Sequence, residues 1–510
     1  MQPSTLYLAP TGADAAVLAA GIAAQVGAAV ESVRSERRTV LDTFDWRVKR
    51  GGFALEHVTS ADGSKLVLRT WGGAAPVVSV PVANGAPATA AELPPGRLRD
   101  QLAPLIDIRA LVGLTTYDAV EHLVVVRNRD DKAVARIAVD DLGAGHVVVR
   151  CLPVRGYDRF GARADAVVKA SRCDESGADP VEVALGRVGR VAGDRGGKFA
   201  VELAGDGPAA AGWVRVLQVL LDDIEANVPG TLADVDTEFL HDLRVAVRRT
   251  RSALRHARDV LPGELLECFR PEMKGLQEIT GPARDLDVYV LAADDDADVL
   301  DEHDRPALIP FRRLLADHRA DAYARLDREL RSDAFAALLA DWRETLGSLE
   351  AVEEGDEAGE WGDWPADAHA PLAEVAAARI RKQHRKLLKG GKAITDESPP
   401  EQLHDLRKSG KELRYLLELF GSVAGRDAKR TRKFVKALKG LQDLLGEFQD
   451  TEVQMHELRG WADEMAVAGN AGTPTLLAMG ELVDRLQQRQ DAARSAFASR
   501  FESFASAGRP

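Results

Sequence analysis

His241-Asp242-Leu243-Arg244-Val245-Ala246-Val247-Arg248-Arg249-Thr250-Arg251 returns, altered but in register, as His404-Asp405-Leu406-Arg407-Lys408-Ser409-Gly410-Lys411-Glu412-Leu413-Arg414, 163 residues on. Further along, Lys274-Gly275-Leu276-Gln277 with Gly281 and Asp285 is matched by Lys439-Gly440-Leu441-Gln442 with Gly446 and Asp450. Paired motifs in the same order describe an internal duplication, which sets the fold before any single residue is interpreted.

The repeated positions are mostly cationic. At 100° per residue, with His241 at zero, Arg244, Arg248, Arg251 and Arg255 fall at roughly −60°, −20°, −80° and −40°. Leu240, Leu243, Val247 and Leu254 occupy a different arc, a core-facing stripe. The second copy sets His404, Arg407, Lys411 and Arg414 against Leu403, Leu406, Leu413 and Leu417. Like charges one turn apart repel by a few tenths of a kcal/mol per pair. A solvated helix usually relieves this with interleaved acids, and the basic arc of the first copy has none. The whole chain carries 80 acidic and 67 basic residues, a net charge of −13, so a local cationic ridge stands out against its background. The bland alternative is a surface ridge paired with acids on neighbouring helices.

Several function classes recede on composition. Cys151, Cys173 and Cys268 show neither CxxC nor metal-ligand spacing, which predicts idle thiols in a reducing cytoplasm. The Ala-rich stretch 13–30 is broken by Asp14, Gly21 and Gln25 and lacks a basic leader, so neither a signal peptide nor a membrane span is expected. The acidic balance argues against bulk duplex-DNA binding, while a focused cationic groove still admits a polyanion.

Organisation changes near residue 205. Before it, Val-, Leu- and Thr-rich runs alternate with turn signals such as Ala61-Asp62-Gly63-Ser64 and Arg129-Asp130-Asp131-Lys132, the latter between strands at 123–126 and 134–139. Helices are expected at 13–30, 98–105 and 158–170. This half reads as α+β with hairpin strands, followed by a Gly/Pro/Ala linker at 204–212. After it, helical period dominates in two units, about 212–350 and 369–505, separated by the acidic connector Glu353–Ala368. In the second unit, separate helices are expected at 428–445 and 451–466. Two antiparallel bundles related by pseudo-symmetry follow from the duplication.

The motifs at 241–251, 281–288 (Gly-Pro-Ala-Arg-Asp-Leu-Asp-Val), 411–418 and 441–450 resemble the CHAD family, the conserved-histidine α-helical domain, over about residues 212–505. The resemblance implies a twofold-repeated helical bundle with a basic surface or channel that binds inorganic polyphosphate, in some members at polyphosphate granules. Such a ligand carries about one charge per phosphate and offers no base to read, so its binder needs cations at repeated intervals. The expected contacts are Arg244, Arg248, Arg251, Arg255, Arg407, Lys411 and Arg414, with Lys274, Lys436 and Lys439 from the next helices. A third rail is expected from Arg379, Lys382, Lys386 and Lys389. The namesake His241 and His404 sit near helix starts, where either a ligand contact or a structural role fits. Asp285 and Asp450 are expected to pair with Arg or cap helices, and Gly281 and Gly446 to serve turns or close packing. His303, His318, His384 and His456 are expected at the surface.

Residues 1–205 resemble the CYTH superfamily of triphosphate tunnel enzymes through Arg38-Thr39-Val40-Leu41-Asp42-Thr43-Phe44-Asp45-Trp46-Arg47-Val48. The family's Glu-x-Glu-x-Lys strand is replaced by Ser4-Thr5-Leu6-Tyr7-Leu8-Ala9, and its late acidic strand by Val147-Val148-Val149-Arg150-Cys151. Metal-assisted phosphoanhydride cleavage needs clustered carboxylates. The expectation is therefore a degenerate antiparallel barrel without catalysis, metal or cofactor, with Asp140 and Asp141 ending a hairpin strand. The functional expectation is non-enzymatic polyphosphate binding in the cytoplasm, with a protein partner for the N-terminal half. Tripolyphosphatase activity and RNA or single-strand binding are the alternatives, though the ridges offer no stacking platform beyond Tyr415.

Overall fold

The structure, a computed structural model, describes residues 4–83, 85–175, 179–194, 199, 201–299, 305–352, 364–423 and 428–508. The chain forms two compact units, Met1–Lys198 and Phe199–Pro510. No helix among the described residues is long and apolar enough to cross a membrane.

The first unit is a nine-stranded antiparallel sheet. Its strands are β1 (Thr5–Leu8), β2 (Val30–Thr43), β3 (Phe53–Ser60), β4 (Gly63–Thr70), β5 (Pro76–Val82), β6 (Leu111–Arg127), β7 (Ala133–Asp141), β8 (Val147–Pro153) and β9 (Asp174–Glu175), in spatial order β5-β4-β3-β2-β6-β7-β8-β1-β9. The anticipated turns are hairpins. Gly63 opens β4 at φ +116°, and the Asn128 side chain accepts the Asp130 and Lys132 amides between β6 and β7. The sheet curls so far that Ser4, beside β1, accepts a hydrogen bond from the Ala75 amide ahead of β5. Helices α1 (Ala15–Val26), α2 (Arg47–Arg50), α3 (Arg97–Ile106), α4 (Asp158–Ala170) and α5 (Pro180–Gly186) complete the unit. Asp14 caps α1 on the Val17 amide, and Gly27 ends it in the left-handed region.

Inside the curl lies a set of charges the sequence reading left unassigned. Arg38 on β2 donates to Glu36 and to Asp140 on β7, and Arg150 on β8 donates to Asp140 at 2.6 Å and to Glu121 at 2.5 Å. Arg69 on β4 bonds Glu56 on β3 and takes both carboxylate oxygens of Asp179 at 3.0 Å, ahead of α5. Arg38, Arg69, Glu36, Glu56, Asp140 and Asp179 are all buried. Burial alone would raise the Asp140 carboxyl, but Arg150 and Arg38 outweigh it and hold it at about 2. Asp140 does end a strand, and its oxygens are committed to two guanidinium groups.

The second unit is helical: α6 (Ala209–Leu232), α7 (Thr237–His256), α8 (Gly263–Ile279), α9 (Gly281–Val299), α10 (Ile309–Leu330), α11 (Asp333–Val352), α12 (Leu372–Lys392), α13 (Pro400–Phe420), α14 (Ala428–Ala468) and α15 (Thr473–Ser506). A 3-10 turn, Arg305–Leu308, precedes α10. The two repeats are related by a pseudo-twofold axis visible in pairs of equivalent residues. Pro208 and Pro371, equivalent by the duplication, bridge one another. The flanking bonds are reciprocal, Ala209 N–H to Ala370 O and Leu372 N–H to Gly207 O, both at 2.8 Å. Trp213 stacks on Phe420 at 4.1 Å between ring centres, while their equivalents Ala376 and Ala257 are small and buried.

The two pseudo-symmetric bundles stand as expected, joined by one apolar cluster that runs from Trp213, Leu254 and Phe269 through Leu372, Leu416 and Leu441 to Phe501. Several other expectations change. Residues 204–212 are not a free linker, because Pro208 is bridged and Ala209–Gly212 already belong to α6. Of the acidic connector, 353–363 lie outside the described residues, and Ala368 is fully buried with its carbonyl accepting the Ala210 amide. The helices expected at 428–445 and 451–466 are one, α14, whereas the equivalent stretch of the first repeat is interrupted at Thr280 between α8 and α9. His384 is buried against Phe434 and Phe504, His318 pairs with Glu464, His456 is exposed, and His303 lies outside the described residues.

A cationic cluster on the pseudo-twofold axis

The apolar stripe of α7 docks it: Leu240, Leu243, Val247 and Leu254 are all buried, and Asp236 caps the first turn on the Glu238 and Phe239 amides. In α13, Leu403, Leu406 and Leu413 are buried likewise, with Leu417 partly so. The basic arcs are left facing outward from this core.

Two clamps hold α7 against α13, and both went unread in the sequence. Arg249 donates twice to Glu418, at 2.9 and 3.1 Å. Glu412 accepts from Ser252 and Arg255, each at 2.8 Å, and meets His256 at 3.1 Å. Positions 249 and 412 are equivalents, as are 255 and 418. The clamps are therefore one contact repeated about the axis, Arg in the first repeat against Glu in the second. The opposite charges at equivalent positions, Arg249 against Glu412 and Arg255 against Glu418, were the available signal. Glu412→Ala should cost the helical unit about 1–3 kcal/mol by urea unfolding, since it strips three donors of their acceptor. The exposed pair of Glu481 with Arg485 supplies the control, with Glu481→Ala within about 0.5 kcal/mol of the parent.

With the helices antiparallel and clamped, Arg248 and Lys411, themselves equivalents, face the same space. The Lys411 ammonium is pushed down to about 8, by burial first and then by Arg407, Arg248 and Arg414, with Asp450 on α14 opposing. Ridges from both repeats thus act on one amine. The Nε–H groups of Arg248 and Arg407 are buried without a protein acceptor among the described residues. Gln442, which is 7% exposed and lies beside Gly410, likewise has both side-chain polar atoms buried without a hydrogen-bond partner among the described residues. Buried donors of this kind normally find partners.

Other expected contacts are partly committed. Arg255 pairs with Glu412, Arg407 with Asp450 at 2.8 Å, and Arg414 with Glu418 at 3.2 Å. Arg244 donates to the Gln277 carbonyl and Thr280 hydroxyl, and Arg251 to the Gln277 side chain. Burial lowers both guanidinium groups, Arg248 adding to the effect on Arg244 and Arg255 to that on Arg251. Neither Arg248 nor Lys411 is ion-paired to a carboxylate among the described residues.

Peripheral cations are less convergent. Lys274 is exposed and pairs with Glu278, and Lys436 and Lys439 are exposed on α14. Arg379 is drawn to the Arg258 carbonyl at 2.7 Å and to Asp367 at 3.1 Å, a tether joining α12 to the end of α7. Lys382 and Lys386 are exposed on α12, and no described contact brings that rail to the α7–α13 cluster.

His404 Nδ1 meets Gln449 Oε1 at 2.6 Å, and His241 is half-buried. Both lie in the second turn, so neither caps its helix. Gly281 opens α9 and Gly446 lies within α14, not in a turn. A Cβ at either would touch a guanidinium, Arg244 at 3.5 Å or Arg407 at 3.9 Å, so these glycines border equivalent arginines.

Three comparisons bear on this architecture. Residues 215–459 match the family model of the CHAD domain. The uncharacterized protein Rv2226 of Mycobacterium tuberculosis is 26% identical over 270 residues, 50% of this chain and 47% of that protein, so the match spans about half the relative's length. Among solved structures, the CHAD domain from the plant Ricinus communis matches with a TM-score of 0.47 and 24% identity, over 59% of this chain and 95% of that one. A Hippeastrum protein described by a dominant triphosphatase activity matches with a TM-score of 0.29 and 14% identity, over 38% of this chain and 97% of that one. On the family match and the helical architecture together, the chain carries a CHAD domain at residues 215–459.

Proposed function

We propose that the helical unit binds inorganic polyphosphate at the α7–α13 cluster, without chemical turnover. The observation that carries this reading is the meeting of Arg248 and Lys411 about the axis, unpaired with carboxylates among the described residues, amid buried guanidine donors that have no protein acceptor. Holding an amine among three arginines is unfavourable in the free protein, and a linear polyanion relieves it at several places at once. Arg forks fit adjacent phosphates, while Lys acts as a point charge. Arg244, Arg248, Arg251, Arg407, Lys411 and Arg414 make the central contacts. Arg255, Lys274, Lys436 and Lys439 extend them, and Arg379, Lys382 and Lys386 supply a more distant rail. His241 and His404 orient the ends of the site. The first unit serves as a protein-docking module, and the bound polymer carries the protein to polyphosphate granules.

Isothermal titration tests this. Long-chain polyphosphate should bind far more tightly than equal phosphorus supplied as orthophosphate. Log affinity should fall with log salt at a slope of roughly −3 to −5, as expected when about five to seven cations displace condensed counterions. Equal affinity for chain and monomer would exclude the reading, and tighter binding of single-stranded RNA in competition would replace it.

A further inference from the structure

We propose that Lys411 is an acylation site for acyl phosphates, the surrounding arginines seating the phosphate end of the donor while the amine attacks its acyl carbon. This rests on the anion-binding reading above and goes beyond it, from holding phosphate to directing a covalent change at one side chain.

The groups around the amine come from three helices. Arg407 and Arg414 lie one turn either side of it on α13, Arg248 faces it from α7, and Asp450 approaches from α14, where it is held by Arg407. Arg248 and Arg407 each keep a buried Nε–H without a protein acceptor among the described residues, while the Arg414 Nε meets Glu418 at 3.2 Å. A phosphate-headed molecule small enough to enter satisfies those donors and brings its other end to Nζ, because the amine stands in the middle of the guanidinium set. Lys411 itself is only partly buried, so the site is open to a donor from solvent.

An ammonium has no lone pair, so the amine must first be free of its proton. With the ammonium pushed down to about 8, about a tenth of the amine is free at pH 7, against well under a thousandth for an ordinary lysine. In the reaction the Nζ lone pair attacks the carbonyl carbon, the C–N bond forms and the C–O bond to phosphorus breaks. Inorganic phosphate leaves with that electron pair, and the proton shed by nitrogen goes to the phosphate or to water. Nothing is oxidised or reduced, and the acyl phosphate is the only co-reactant. The arginines that depress the amine also stabilise the departing phosphate, so one cluster serves both partners of the step. The product is a neutral amide, which removes the central charge of the cluster.

The experiment incubates the full chain with acetyl phosphate and follows each lysine by peptide mass spectrometry. Lys411 should be acetylated at least about tenfold faster than exposed Lys132, Lys392 and Lys433, which lie outside the proposed site. Tripolyphosphate should protect it selectively. With N-acetoxysuccinimide, which delivers the same acyl group without a phosphate, the preference should fall severalfold, to what the freer amine alone gives. Lys411→Arg should leave the slow background at the other lysines unchanged. Acetylation of Lys411 no faster than of the exposed lysines, or a preference undiminished with the phosphate-free donor, overturns the proposal. Titration of the same sample with long-chain polyphosphate separates the two readings. Binding without selective acetylation sinks only this inference, and absence of binding sinks the function proposed above.

Discussion

Reversing both central charges, Arg248→Glu with Lys411→Glu, should weaken binding of long-chain polyphosphate by at least about a hundredfold at physiological salt while leaving the helical circular dichroism spectrum unchanged. Two unit charges 4 Å apart interact by about 4 kcal/mol at an effective dielectric constant near 20, so two attractions turned into repulsions far exceed the roughly 2.7 kcal/mol that a hundredfold represents. The fold should tolerate the change because Arg407 and Arg414 stand ready to pair with a carboxylate at 411. Affinity should also decline as pH rises through about 8, where Lys411 loses its proton. The sign follows from linkage: the bound polyanion favours the charged amine, so binding takes up a proton and weakens where that proton is scarce. The double variant should lose this dependence. An affinity within threefold of the parent would remove the axis from the binding site.

The largest stability effect is expected in the first unit. Arg69→Met removes the cation shared by Glu56 and Asp179 and leaves two carboxylates inside the curled sheet, a loss of about 3–5 kcal/mol. Differential scanning calorimetry of the full chain should show the transition of that unit move down while the helical transition stays. The deficit should narrow in acid. In the parent, burial opposes the charged Glu56, but Arg69 and Arg38 hold its carboxyl below the usual range. The parent's stabilisation from this group is therefore present above the ordinary carboxylate range and lost as pH falls through the depressed value. In the variant the same carboxyl is relieved by protonation. A deficit that is constant from pH 7 to pH 4 would show that lost packing, not stranded charge, governs the effect.

The elements were legible where a single period decides them. The stripe at Leu240, Leu243 and Val247 and the basic arc beside it both emerge from 100° per residue, and the hairpin turns from their Gly, Asn and Asp residues. What stayed hidden depends on partners distant in sequence. Arg249 and Glu412 look like ordinary surface charges until the two helices are set antiparallel. Arg38, Arg69 and Asp140 alternate along strands as outward-facing residues do, and only the curl turns them inward. The break at Thr280 and the unbroken α14 come from nearly the same motif, so local propensity did not separate them. His384 follows a run of charged residues, and nothing local signals that it is buried against two phenylalanines.

The reciprocal contacts at the axis have a bearing on how the halves recognise each other. If the first repeat met its own copy, Arg249 would confront Arg255 and Trp213 would overhang Ala257. Two second repeats would set Glu412 against Glu418 and leave Ala376 short of filling the space beside Phe420. Only the mixed pairing satisfies charge and volume together. Severed into separate polypeptides, the halves would therefore choose one another over themselves, an obligate heterodimer written as one chain.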